Sequence, residues 1–219
     1  DLATPESRIG QALAFLPYLL ILTGFLGGAA LVIDATAGER ERQSLEPLLA
    51  TPAGRSQIMS GKILAACSVG LLGLLLTLLS FKLSFMLAPS LGIKLSLSWG
   101  QVALLLLVLV PIVLIGTSLL TAIAAGAKSV KEAQSYMSML MMLPILPTII
   151  LMVNPMKNQL WQFAVPFLAQ NQMILKIVRS ENISALEWGV YLLCGFGLGA
   201  ALWFIAARRY HNEKLAISA

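Results

Sequence analysis

Long apolar runs alternate with short polar segments along the whole sequence. Five runs reach the roughly 20 residues that an α-helix needs to cross the hydrocarbon core of a bilayer. They cover about residues 12–36, 57–86, 100–127, 134–153 and 187–208. The fourth run contains Pro144 and Pro147, which are expected to break its helix. The pattern predicts an all-α, polytopic membrane protein with five transmembrane helices in one transmembrane domain, residues 1–219.

The longest polar interruption, residues 34–62, separates the first two predicted spans. It contains four consecutive residues of alternating charge: Glu39, Arg40, Glu41 and Arg42. Ser44 then offers a hydroxyl that can cap a helix N-terminus, and Pro47 is tolerated in the first turn of such a helix. Three leucines follow with the i, i+3, i+4 spacing of one helix face: Leu45, Leu48 and Leu49. The sequence predicts a short amphipathic helix at about 44–51, lying on the membrane surface.

Two other segments adjoin the fourth predicted span. The segment before it reads AKSVKEAQS and carries Lys128, Lys131 and Glu132, which by themselves would form an ordinary interfacial turn. The segment after it, 158–180, begins with an uncharged run that contains Trp161 and Pro166. Because both flanks of this run are predicted on the same side of the membrane, we expect a re-entrant or interfacial pair of short helices there.

Two of these segments carry a family resemblance: the first polar segment, residues 34–62, and the second polar segment, residues 127–135. The run ERERQSLEPLLATP, followed by Arg55 and by Gly61 and Lys62, resembles the first cytoplasmic segment of type-two ATP-binding-cassette (ABC) exporter permeases, particularly the sodium-efflux permeases. AKSVKEAQS resembles the pattern that these permeases have between the spans that correspond to the third and fourth predicted here. The family usually has Gly-Thr where this chain has Gln43 and Ser44, and serine keeps the capping hydroxyl.

The resemblance implies that the helix at 44–51 is a coupling helix, which rests in a groove on a separate ATPase subunit. The residues implied in this contact are Glu39, Arg40, Glu41, Arg42, Ser44, Leu45, Glu46, Leu48, Leu49 and Arg55. Lys128, Lys131 and Glu132 are expected to support the same surface. ATP and Mg²⁺ would be bound by the partner subunit, and a second permease copy, identical or related, would complete the complex. The alternative is a solvated loop that binds nothing.

Composition and charge agree with a membrane location. Hydrophobic residues make up 58% of the chain and charged residues 11%, whereas about a quarter of a soluble protein is charged. The net charge of +5 would suggest a nucleic-acid partner in a soluble protein, but here its placement in the loops sets the orientation. Basic residues favour one side: Arg40, Arg42, Arg55, Lys62, Lys128, Lys131, Arg208, Arg209 and Lys214. We therefore expect a cell-membrane protein whose coupling helix and tail are cytoplasmic, with no nucleic-acid partner.

The start of the sequence is then expected on the outer side. Asp1 is not preceded by a basic leader or a cleavage site, and an outside start is hard to insert unaided. We expect that a first span and an extracytoplasmic domain precede this region, as the six-span pattern of the resembling family also implies. A cleaved signal peptide is the alternative.

The residue inventory argues against an enzyme. His211 is the only histidine and lies in the tail, which excludes a histidine-based metal centre or Ser-His machinery inside the membrane. Asp1 and Asp34, the only aspartates, are predicted on opposite sides. Gly61 and Lys62 do not belong to a P-loop, because Ile63 follows them and Ser56 stands where a glycine is needed. The sequence predicts no catalytic residue, metal or cofactor in this chain.

These observations favour the permease subunit of an ATP-driven exporter, whose energy comes from a separate ATPase. The resemblance implies sodium as a possible substrate. A secondary transporter or channel is the first alternative, and it would need a titratable group at mid-depth, where the predicted spans have none. A membrane scaffold that transports nothing is the second alternative.

Overall fold

The computed structural model describes residues 5–44, 51–87, 97–153 and 159–212. Within these ranges the regular elements are all helical. The α-helices are α1 (Pro5–Leu26), α2 (Ala29–Ile33), α3 (Glu39–Glu41), α4 (Arg55–Leu87), α5 (Trp99–Ala124), α6 (Val130–Leu140), α7 (Ile145–Val153), α8 (Leu168–Val178) and α9 (Ala185–Asn212). A π-helical turn, Asp34–Gly38, joins α2 to α3, and a 3₁₀ turn, Leu160–Ala164, precedes α8.

Four stretches of the described chain are long and apolar enough to cross a membrane. They are Phe15–Glu41, Arg55–Ser84, Trp99–Ala124 and Ala185–Arg209. The described part of the chain is therefore all-helical, and its long apolar helices are those of a multi-pass membrane protein, as the sequence predicts. The first of these stretches extends without a strand or long loop from α1 through the π-helical turn into α3, so the charged residues 39–41 continue the first span.

The fourth predicted span, 134–153, is divided between two short helices. Helix α6 ends at Leu140, and residues 141–144 form a turn before α7 begins at Ile145. Pro144 lies in this turn and explains the break. Proline has no N–H to continue the helix, and it disfavours helical geometry in the residue before it. Pro147 falls in the first turn of α7, where the missing N–H is tolerated. A crossing by this region, and hence the count of five spans, stays a prediction.

Helix α5 lies at the centre of the bundle. It packs against α1, α2, α4, α8 and α9. Its buried apolar side chains include Leu105, Leu109 and Ile112, none of which is accessible to solvent. At Gly116 a Cβ atom would lie 2.1 Å from the carbonyl oxygen of Phe25, so the backbones of α1 and α5 touch at this point. The close contact explains why glycine occupies a helix interior, where it normally costs stability.

The small residues of the first span and the last helix also serve contacts within this chain. A Cβ on Gly28 would lie 2.5 Å from the carbonyl oxygen of Ala66 in α4. On α9, a Cβ at Gly195 would lie 2.9 Å from Pro111 Cβ, and one at Gly199 would lie 2.8 Å from Leu114 Cδ2. These glycines allow helix surfaces to approach closely, as small residues do in membrane bundles.

The region 160–178 forms the 3₁₀ turn and helix α8, next to α1, α5 and α7. Its polar side chains Gln170, Asn171 and Gln172 are buried. Lys176 forms an ion pair of 2.5 Å with Glu187 at the start of α9. Gln101 of α5 donates a hydrogen bond of 2.9 Å to the carbonyl of Ile177. The predicted re-entrant or interfacial placement of this region in the membrane stays a prediction.

Candidate functional site

The two polar segments singled out by the sequence lie together at one end of the bundle. The ends of α3 and α5 and the start of α6 meet there. Arg209 of α9 reaches the same end and donates a hydrogen bond of 3.2 Å to the carbonyl of Ala122. We call this the predicted inner end, and the opposite end, where α8 contacts the start of α9, the predicted outer end. The grouping agrees with the alternation of loops expected for a multi-pass chain.

Helix α3 ends in a defined C-terminal motif. The N–H of Ser44 donates to the carbonyl of Glu39 at 3.0 Å, and the N–H of Gln43 donates to that of Arg40 at 3.1 Å. This pair of bonds is the Schellman motif, in which the residue after the cap adopts a left-handed conformation that favours glycine. Gln43 occupies that position with φ 55°. Gln43 in place of the family's usual glycine therefore has a conformational cost, although Ser44 keeps the hydroxyl.

The first charged residue of α3 is tied to α4. Glu39 Oε2 forms an ion pair with Lys62 Nζ, and the two side chains are only 22% and 12% exposed. Lys62 Nζ also donates a hydrogen bond of 2.7 Å to the carbonyl of Ala35 in the π-helical turn. A half-buried pair with a further hydrogen bond is screened less by solvent than a surface pair. The contact holds the first polar segment against the start of α4.

The next two charged residues reach the connection between α5 and α6. Arg40 donates one hydrogen bond of 2.9 Å to the carbonyl of Ala127 and another to the carbonyl of Ala125. These groups follow the last turn of α5, where carbonyls lack intrahelical partners and the helix dipole favours a cation. Glu41 Oε2 accepts a hydrogen bond of 2.9 Å from the backbone N–H of Val130, the first residue of α6. A carboxylate is favoured at this helix N-terminus for the converse reason.

Arg42, the last residue of the charged run, lies on the surface. Its Nη1 atom is 2.8 Å from Asp34 Oδ1, and the two side chains are 57% and 63% exposed. An exposed pair of this kind contributes roughly 0–1 kcal/mol to stability. The contact joins the charged run to Asp34, the first residue of the π-helical turn. Arg42 is accordingly much more accessible to a partner protein than Glu39.

The second polar segment is organised by its own caps. Ser129 Oγ accepts a hydrogen bond of 3.2 Å from the N–H of Glu132 and thereby caps α6. Glu132 in turn accepts hydrogen bonds from the Lys128 N–H at 2.7 Å and the Tyr136 hydroxyl at 3.0 Å. Both hydrogen bonds lower the pKa of Glu132 below its usual value, and the one from the Lys128 N–H has the larger effect. Lys128 and Lys131 are exposed beside them.

Comparison with known proteins assigns the fold to a family. The ABC-2 family transporter protein family matches residues 4–215. The chain belongs to this family. ABC transporter permease protein NatB of Bacillus subtilis (strain 168) is 35% identical over 208 residues, which cover 89% of this chain and 51% of NatB. This ABC-2 chain therefore spans about half the length of that curated relative, and the resemblance drawn from its polar segments is confirmed.

Not every predicted contact residue of this ABC-2 chain lies in the described ranges. Leu45, Glu46, Leu48 and Leu49 lie outside them, so the coupling helix and its cap stay predictions. The Ser44 hydroxyl donates a 3.3 Å hydrogen bond to the carbonyl of Glu39, and Arg55 is the first residue of α4. In the part of the chain that the structure describes, no three His, Cys, Asp or Glu side chains group as metal ligands would.

The structure adds Lys62 to the site as a partner residue. The sequence contained a signal for it, since Lys62 is the last residue of the polar segment 34–62, which also contains Glu39. Their 23-residue separation in sequence gave no means of pairing them.

Proposed function

We propose that this chain is the permease subunit of an ATP-driven ABC exporter. Membership of the ABC-2 family and the bundle of membrane-crossing helices support this function. The observation that carries it is the joining of two polar segments, far apart in sequence, into one surface at one end of the bundle. The sequence contains no P-loop. The energy would therefore come from a separate subunit that binds and hydrolyses ATP.

The ATPase would bind the exposed part of the predicted inner end. Arg42, Lys128 and Lys131 supply positive charge there, and the predicted coupling helix at 44–51 would add Glu46 and its leucines. Glu39, Arg40, Glu41 and Glu132 have partners within the chain and would shape this surface. ATP-driven closure of the ATPase subunits would push on the coupling helix as a rigid body and move the spans. Two permease copies would be needed for two ATPase subunits.

Association with the ATPase tests this assignment. The full-length permease, reconstituted in lipid nanodiscs, is titrated with its cognate ATPase subunit. Reversing charge with Arg42→Glu and Lys131→Glu together should weaken binding at least about tenfold, about 1.4 kcal/mol. Arg179→Glu is the matched control, because Arg179 is exposed and basic but lies at the predicted outer end. Unchanged affinity in the double variant would show that the ATPase does not bind this surface.

Sodium is the substrate that we propose from the resemblance of the two polar segments to sodium-efflux permeases. The test is sodium efflux from proteoliposomes that contain the full-length permease and its ATPase. We expect efflux with ATP and none with a non-hydrolysable analogue. Efflux driven by an ion gradient without nucleotide would instead favour a secondary transporter.

A further inference from the structure

The contacts of α3 show how force could enter the bundle. We propose that Arg40 is a positioning residue that links movement of the first polar segment to the central helix α5, with Glu39 and Glu41 linking it to α4 and α6. We call these three residues the joint. The inference rests on the proposed function, since it concerns how a push from an ATPase would reach the spans. It assigns to the joint a role other than direct contact with the ATPase.

The joint is one helical turn with three separate attachments. Successive residues of an α-helix point about 100° apart, so three in a row face three directions. Glu39 pairs with Lys62 of α4, Arg40 with the end of α5, and Glu41 with the start of α6. The contacts of Arg40 and Glu41 join residues separated by 85 to 89 positions in sequence. Displacement of this turn must therefore move three helices or break polar contacts between them.

Arg40 makes the attachment that matters most for transmission. Its guanidinium presents several N–H groups in a fixed plane, and two nitrogens bind two different carbonyls, those of Ala125 and Ala127. Both alanines are buried, at 3% and 0% exposure. A two-point contact with buried backbone resists rotation as well as separation. Lysine carries its three N–H groups on one nitrogen, so it cannot place two nitrogens in a fixed plane against the two carbonyls.

Helix α5 is suited to receive the displacement. It packs on six other described helices, α1, α2, α4, α6, α8 and α9, and its far end donates the Gln101 hydrogen bond to the carbonyl of Ile177 in α8. Rigid-body movement of a helix is an established way to carry a conformational change between distant sites. A shift imposed at Ala125 and Ala127 thus has a continuous packed route to the predicted outer end.

Arg42 provides the contrast within the same four residues. It is exposed and its ion pair with Asp34 stays within the first polar segment and span. Arg42 is therefore suited to contact a partner, whereas Arg40 is suited to transmit what the partner does. The two arginines, two positions apart, should separate binding from coupling when each is changed.

The decisive experiment compares Arg40→Met, Arg40→Lys and Arg42→Met in the full-length permease with its ATPase. Two quantities are measured in nanodiscs: the Kd of the ATPase and the permease-stimulated rate of ATP hydrolysis at saturating ATPase. For Arg40→Met we expect a Kd within about twofold of wild type and at least a tenfold loss of stimulation. Stimulation by Arg40→Lys should lie between that of wild type and that of Arg40→Met. Arg42→Met should raise the Kd of the ATPase, but saturating ATPase should restore its stimulation. Arg179→Met, at the predicted outer end, should change neither quantity.

A second measurement guards against misfolding of the variants. Spin labels at Gln43→Cys and Lys131→Cys, in a background of Cys67→Ser and Cys194→Ala, report the distance between the two polar segments. Arg40→Met should broaden that distance distribution and leave the thermal unfolding transition cooperative.

The ion pair between Glu39 and Lys62 is tested by a charge swap. Glu39→Lys alone should lose stimulation of ATP hydrolysis, and adding Lys62→Glu should restore it.

The outcomes separate the two proposals. If Arg40→Met raises Kd as much as Arg42→Met does, Arg40 is an ATPase contact and the joint is wrong. If Arg40→Met changes neither Kd, stimulation nor the spin-label distance, the joint is also wrong while the proposed function stands. If the wild-type permease fails to bind the ATPase at all, the proposed function fails and the joint fails with it.

Discussion

At Gln43 the chain adopts a left-handed backbone conformation to end α3, with φ 55°. An L-residue with a Cβ atom pays roughly 1–2 kcal/mol for this conformation, whereas glycine does not. The neighbouring bonds from Gln43 and Ser44 to α3 leave the chain little freedom to relieve it. One residue before the predicted coupling helix, the backbone is therefore strained.

Gln43→Gly should stabilise the protein by about 1 kcal/mol, because it removes this strain. The measurement is the midpoint of thermal unfolding in detergent. Gln43→Ala is the matched control: it removes the same polar side chain but keeps Cβ, so its midpoint should not rise. An equal rise in both variants would assign the effect to the side chain and not to the backbone.

Glu132 gives the predicted inner end a dependence on pH. Its pKa is lowered by the Lys128 N–H and the Tyr136 hydroxyl, so the folded state favours the charged carboxylate more than the unfolded state does. This stability is fully present above the ordinary glutamate pKa near 4.5 and is lost as pH falls through the lower folded value. Glu132→Gln should therefore lower the unfolding midpoint at pH 7, and this deficit should shrink as the pH falls below 4.5 and through the folded pKa of Glu132. A constant deficit across this range would contradict the carboxylate's role.

The sequence showed which residues of the site are charged, but not which groups of the chain they bind. The alternation from Glu39 to Arg42 indicated a polar surface, but Glu39, Arg40 and Glu41 each bind a group of another helix or of its flanking turn. Arg40 finds its carbonyls more than 80 positions further along the chain. No local pattern encodes such a contact, because it depends on how α1 and α5 pack.

Among the elements, the effect of proline was the most readable feature. Pro144 marks the end of a helical stretch, and its effect needs no knowledge of the rest of the fold. Helix α8 was harder to anticipate, since Gln170, Asn171 and Gln172 form a polar run that suggests an exposed surface. These side chains are buried because α1, α5, α7 and the 3₁₀ turn all contact the helix.

The contact between α1 and α5 makes a prediction at this scale. Gly116→Ala would place a Cβ atom 2.1 Å from the carbonyl oxygen of Phe25, so the helices must separate. We expect a loss of about 3 kcal/mol in unfolding free energy, at the upper end of typical overpacking costs. Gly197→Ala is the control in α9, where no atom lies within 4 Å of the new Cβ. That variant should be neutral or more stable by up to about 1 kcal/mol.

For the whole molecule, the alternation of polar loops predicted which segments share an end. The contacts of Arg40, Glu41 and Arg209 place the ends of α3, α5 and α9 together. Which side of the membrane this end faces depends on insertion and on the bilayer, and the positive-inside rule supplies that expectation.

Labelling of single cysteines tests the sidedness. Lys131→Cys and Arg179→Cys are introduced separately, in a background of Cys67→Ser and Cys194→Ala, and intact cells are treated with a membrane-impermeant maleimide. Arg179→Cys should react in intact cells, and Lys131→Cys should react only after the membrane is permeabilised. The reverse pattern would invert the topology and place the coupling helix outside.

The glycine contacts of α9 limit how the bundle can open. Pro111 and Leu114 of α5 fit against Gly195 and Gly199 so closely that neither helix has room to slide past the other. These two helices should therefore move as one rigid body in the proposed transport cycle. A passage for the substrate would have to form at a different helix interface of the bundle.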